Sequence, residues 1–184
     1  MKIKQFIIVA FLFCFSGYAQ AQNVGGYDSG AISAVATPAN SSHAAGTSIG
    51  GLFTVPIARG ATALASSGVI SNLLWKSTGG STGQLVIRIW QANPTHITCT
   101  DNTAFAGSDI DDTNLITTPF SITPAAPANT TGDSATYASS TGSWNYKNAD
   151  VTTTQNLYIC AVTVATDTAD QNKQVRVTLS GKQN

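Results

Sequence analysis

Gln174-Val175-Arg176-Val177-Thr178-Leu179 alternates polar and apolar side chains without a break. Successive side chains of a strand point to opposite sides, so this period of two marks a strand with one buried face. Val175, Val177 and Leu179 are therefore expected inward. Working outward, Gly83 to Gln91 (GQLVIRIWQ) places Leu85, Ile87 and Ile89 on one face while Gln84, Arg88 and Gln91 point elsewhere. Val86 and Trp90 interrupt the polar side, which predicts partial cover there as well. Further β-rich runs follow: LFTVP from Leu52, GVISNLLWKST from Gly68, NLITTPFSI from Asn114, TGSWNYKN from Thr141 and NLYICAVTVA from Asn156. Gly and Ser clusters separate several of these short runs, the texture of an antiparallel β-sandwich, jelly-roll or Ig-like, with about 7–8 strands.

Composition supports an all-β chain. Among 184 residues there is no Glu, all nine acidic residues are Asp, and the only Met is the first residue. Helical bundles lean on Glu, Lys, Leu and Met, so they are excluded. Charged residues make up 10% of the chain and the formal net charge is +0. Disorder requires high net charge with low hydrophobicity, and nucleic-acid binding requires a concentrated Lys and Arg patch; neither is predicted.

The first 21 residues read as a cleavable signal peptide. Lys2 and Lys4 precede an apolar run from Phe6 to Phe15, and Ala19-Gln20-Ala21 gives the small-x-small pattern of a cleavage site. The run is shorter than the roughly 20 residues that span a bilayer, so export is expected and a membrane span is not. Residues 22–48 are small and polar without a period, and are expected to form a flexible N-terminal arm for docking. Removing that arm should leave the unfolding of a body at 49–184 nearly unchanged. Thr123 to Thr141, rich in Pro, Ala and Thr, is expected as a surface loop. Past the leader only Cys99 and Cys160 remain, and in an oxidising compartment a disulfide is their simplest use. Closing that loop stabilises a fold by about 4 kcal/mol in the chain-entropy model.

Candidate chemistry is sparse. Gly79-Gly80-Ser81-Thr82-Gly83 matches the spacing of a nucleophile elbow, but it lies between two strand patterns with no helix to follow, so a hairpin loop is expected. His43 and His96 show no partner in the sequence and are expected as solvated loop residues. Asp101, Asp109, Asp111 and Asp112 fall within the twelve residues DNTAFAGSDIDD, a weak calcium candidate, since hard cations collect loop carboxylates. Asp is also a turn residue, and a structural role is favoured. Trp75, Trp90 and Trp144 with Tyr137, Tyr146 and Tyr158 offer either a sugar-binding platform or core filling, the commoner fate. Asn40 and Asn129 head glycosylation sequons by pattern. No cofactor is implied.

The order GGLFTVPIARG, SGVISNLLWKSTGGSTGQLVIRIWQANP, DNTAFAGSDIDD, NLYICAVTV and VRVTLSG, covering residues 50–181, resembles small β-sandwich proteins encoded among the virion structural genes of tailed bacteriophages. That resemblance implies a non-catalytic structural or decoration protein of a phage-like particle or surface assembly; the expected partners are proteins of a larger assembly, with its own copies among the candidates. It carries no catalytic motif. The leader points to a second class: a secreted or surface-displayed adhesin-like module with a glycan or protein ligand.

Overall fold

The computed structural model describes residues 32–38, 42–57, 67–80, 82–126, 135–147, 156–167 and 173–183. The expected leader at 1–21, residues 22–31 and 39–41 of the expected arm, Ser81, Asn40 and Asn129 lie outside these residues. Among the described residues the strands are β1 (Ile32–Ala36), β2 (Phe53–Pro56), β3 (Ser67–Ser77), β4 (Leu85–Trp90), β5 (Phe120–Ile122), β6 (Thr136–Lys147), β7 (Asn156–Thr163) and β8 (Val175–Gln183), and a short helix, α1 (Asp109–Asp112), lies between β4 and β5.

Two four-stranded sheets form, with orders β1-β8-β3-β6 and β2-β7-β4-β5. Every pairing is antiparallel. The chain changes sheet at each connection except β4 to β5. The alternation read from the sequence decides which side chains meet between the sheets. Leu73, Trp75, Val177 and Leu179 from one sheet pack with Ile87 and Ile159 from the other, all fully buried. Each such side chain contributes roughly 1.5–3 kcal/mol of transfer free energy, offset by the conformational entropy of ordering the chain. Phe53 meets Trp75 edge to face at 5.9 Å, and Phe120 stacks on Trp144 at 4.9 Å.

The longest strand pairing is kinked. Between Ile70 and Asn72 the register of β3 shifts against both β6 and β8. Gly181 sits opposite Ile70 on β8, where a Cβ would lie 2.0 Å from the Val69 carbonyl oxygen. Only glycine permits that backbone approach.

Several expectations need correction. The described part of the 22–48 arm belongs to the body. Strand β1 pairs with β8 in register from Ile32 opposite Leu179 to Ala36 opposite Val175. His43 and Ser48 are fully buried, and Ile49 N–H donates to the Ala161 carbonyl at 3.0 Å. ISAVA gives no apolar period because its place is fixed by backbone pairing with a distant strand, which the local sequence does not record. The expectation that removal of the arm spares the body therefore falls.

β3 and β4 do not form the expected hairpin. They lie in different sheets, so the glycine-rich segment between them crosses from one layer to the other. Residues 136–141 of the expected surface loop at 123–141 are strand instead, because β6 begins at Thr136, opposite Ser77. Of NLITTPFSI only Phe120–Ile122 is strand. Among the described residues no helix is long and apolar enough to cross a membrane.

Candidate functional site

The distinctive part of the molecule is a cap, residues 91–119, laid over the outer face of the β2-β7-β4-β5 sheet. The pleat that sends Ile87, Ile89, Ile159 and Ala161 inward sends Arg88, Trp90, Tyr158, Cys160 and Val162 outward. Trp90 and Cys160 are nonetheless fully buried. Leu52, Ile97, Cys99, Phe105 and Leu115 cover them as a second, smaller apolar cluster. The cover predicted from Val86 and Trp90 is thus present. A disulfide joins Cys99 of the cap to Cys160 of β7, with Cα atoms 6.2 Å apart.

Arg88 lies beneath this cap with its guanidinium 4.3 Å from the Phe105 ring centroid. Burial pulls its basicity below the ordinary arginine value, and the nearby Asp112 carboxylate acts in the opposite sense. Arginine titrates so high that the group stays charged, and it binds the cap by cation–π attraction and charge.

Two His–Asp pairs brace the cap: one ties it to a strap, residues 43–50, and the other lies within the cap. His43 Nε2 lies 2.9 Å from Asp101 Oδ1, and the Gly50 N–H donates to that same oxygen at 2.8 Å. His43 also exchanges backbone hydrogen bonds with Asp167, at 2.8 and 2.9 Å. Ser48 ties the same strap to the cap, its N–H donating to Thr103 and its hydroxyl to the Thr100 carbonyl. In the second pair, Asp111 accepts from the N–H of His96 at 2.7 Å and from that of Thr95 at 3.3 Å. The exposed His96 ring reaches the same carboxylate, Nδ1 to Oδ1 at 3.6 Å. Burial pushes the Asp111 carboxyl up, but the two backbone donors and the His96 ring outweigh it and hold it below its usual value. Ser108 caps α1 by accepting from the Ile110 N–H at 3.3 Å.

Both histidines therefore have carboxylate partners that local sequence did not reveal. Asp101 stands 58 positions from His43, and no motif spacing links residues so far apart. Chemically the His43 pair resembles two members of a triad, but the ring is fully buried and its Nδ1 makes no hydrogen bond among the described residues. A base must reach the proton it removes, and this one is enclosed. The Asp–His contacts instead hold backbone in place.

The four aspartates of the calcium candidate are divided by these roles: Asp101 faces the strap, Asp111 the Thr95-His96 backbone, and Asp109 and Asp112 are exposed. Among the described residues no three His, Cys, Asp or Glu side chains converge on a common point. Nor do the aromatics form an open platform. Trp75 and Trp90 are fully buried, Trp144 and Tyr146 nearly so, and the indole N–H groups of Trp75 and Trp90 are unpaired among the described residues. They fill cores. Tyr137 and Tyr158 are half-buried on opposite faces of the sandwich.

Comparison with protein-family models, with curated proteins and with solved structures finds no match.

Proposed function

We propose that this protein is a non-catalytic structural or decoration component of a phage-like particle or surface assembly, with a jelly roll as its body. The carrying observation is strand order. Eight strands arranged as β1-β8-β3-β6 over β2-β7-β4-β5 correspond to two nested Greek keys, the architecture that viral capsid domains and lectins share. An Ig-like sandwich divides its strands differently, with ABED against CFG. The use of both His–Asp pairs to brace backbone supports a role in holding shape.

The disulfide favours one further reading, a secreted or surface-displayed adhesin-like module that binds a glycan or another protein. Such bonds persist in oxidising compartments, so this bond supports export through a secretory route.

Quantitative mass spectrometry of purified particles and of culture supernatant from the source tests the first reading. Recovery at a fixed ratio to the major particle proteins supports it. Protein found free in the supernatant, retained on a glycan array, favours the second. Turnover of a glycan or peptide by purified protein would overturn both.

A further inference from the structure

Among the described residues the two broad faces of the sandwich carry opposite charge. Strands β1, β3, β6 and β8 contain no acidic residue among ISAVA, SGVISNLLWKS, TYASSTGSWNYK and VRVTLSGKQ. Val177 and Trp75 point inward, so their neighbours Arg176 and Lys76 point out, as do Lys182 beside Gly181 and Lys147 beside the buried Tyr146. Lys76 and Arg176 are direct cross-strand partners. Like charges placed opposite one another in a sheet repel, and no carboxylate in these four strands relieves them. Lys76 instead lies 5.3 Å from the ring centroid of Tyr137, its partner on the other side. Val35, 46% exposed, continues the same row on β1.

The cap on the far side is the reverse. Residues 91–119 contain Asp101, Asp109, Asp111 and Asp112 but neither Lys nor Arg, and Arg88 beneath them is the single basic residue of that sheet's four strands. Asp109 and Asp112 are exposed, at the tip of α1.

We propose that copies of this chain associate head to tail, the basic face of β1-β8-β3-β6 on one copy receiving the acidic cap of the next. This inference rests on the assembly reading and deepens it by naming a partner, a second copy. Charge complementarity between two surfaces of the same chain argues for that occupant. The two surfaces differ, so the contact is heterologous and repeats into a ring or filament. Four strands at about 4.8 Å by about 30 Å of strand length offer roughly 570 Å² per partner, the low end for a specific interface. Association is therefore weak, and oriented chiefly by charge.

Sedimentation velocity of the full-length protein at 20 mM and at 500 mM salt tests this. Species above monomer mass are expected at low salt and their loss at high salt. Lys76→Glu/Arg176→Glu and Asp109→Asn/Asp112→Asn should each be monomeric, with near-ultraviolet circular dichroism verifying their folds. Mixed at low salt, each supplies the one face the other lacks, and a 1:1 dimer that grows no further is expected. Should Asp112→Asn disturb Arg88, Asp109→Asn alone serves as the second component. Wild-type protein monomeric at low salt, a face variant that still assembles, or a mixture that stays monomeric would each overturn the inference. If wild-type protein is monomeric yet recovered on particles, only the stacking fails. If it stacks but accompanies no particle or surface fraction, the assembly reading fails instead.

Discussion

Removing the Cys99–Cys160 bond should loosen the cap and lower the stability of the whole domain while leaving the sandwich folded. The cysteines are 61 positions apart, and closing a loop of that size restricts the unfolded chain by about 4 kcal/mol in the chain-entropy model. For a domain of 150–250 residues each kcal/mol moves the midpoint by about 2–4 °C, so a fall of about 8–16 °C is expected. Neither cysteine belongs to the core between the sheets, which is why the β fold should survive. Two perturbations make the test: reduction of the wild-type protein, which changes no side chain, and Cys99→Ala/Cys160→Ala. Thermal unfolding by far-ultraviolet circular dichroism reads global stability. Trp90, buried in the same small cluster as Cys160, reports cap opening through a red shift in fluorescence before the main transition. A midpoint within about 2 °C of the oxidised protein, for both perturbations, would refute the argument that this closure stabilises the fold.

Three other outcomes follow from the packing and electrostatics. Val177→Asp places a carboxylate in the fully buried centre of the core and should cost at least about 3 kcal/mol; a urea titration showing under about 1 kcal/mol would contradict the inward assignment. Gly181→Ala drives a Cβ to 2.0 Å from the Val69 carbonyl oxygen and should cost about 2 kcal/mol or more, checked by the same titration and by amide exchange along β3 and β8. Because Asp111 titrates below its ordinary value, its stabilising effect is complete above the unfolded-state pKa near 4 and disappears as pH falls through the lower folded value. The gap in urea midpoint between wild type and Asp111→Asn should therefore narrow between pH 6 and about pH 2, and an unchanged gap would count against the Asp111 contacts described here.

What was legible in the sequence was the part governed by solvent on one side and core on the other. Val175, Val177 and Leu179 and the run Leu85, Ile87 and Ile89 alternate because their sheets have a wet or partly wet face, and all six are buried as that pattern requires. Strand β1 was hidden because ISAVA is small and mostly apolar, and its partner lies at the other end of the chain. Turn chemistry at Gly79 and Gly80 signals a change of direction but not which sheet the next strand joins, so a crossover resembled a hairpin. Cys99 and Cys160 were paired by elimination, the third cysteine, Cys14, falling in the expected leader. The His43–Asp101 and His96–Asp111 pairs exist only once the strap and cap have folded. Arg88 on a strand with a buried neighbour, Trp90, was the sole trace of the cap in the strand pattern itself.

The position of β8 carries a consequence for how the domain is made. It is the final strand in chain order, yet it lies between β1 and β3 and is hydrogen-bonded to both. Until it has been synthesised, β1 has no neighbour in its sheet, and the half-core of Val175, Val177 and Leu179 is missing. Such non-local pairings are slow to form, because the ends must meet before any contact rewards the closure. The β1-β8-β3-β6 sheet therefore stays unfinished until β8 has docked between its neighbours.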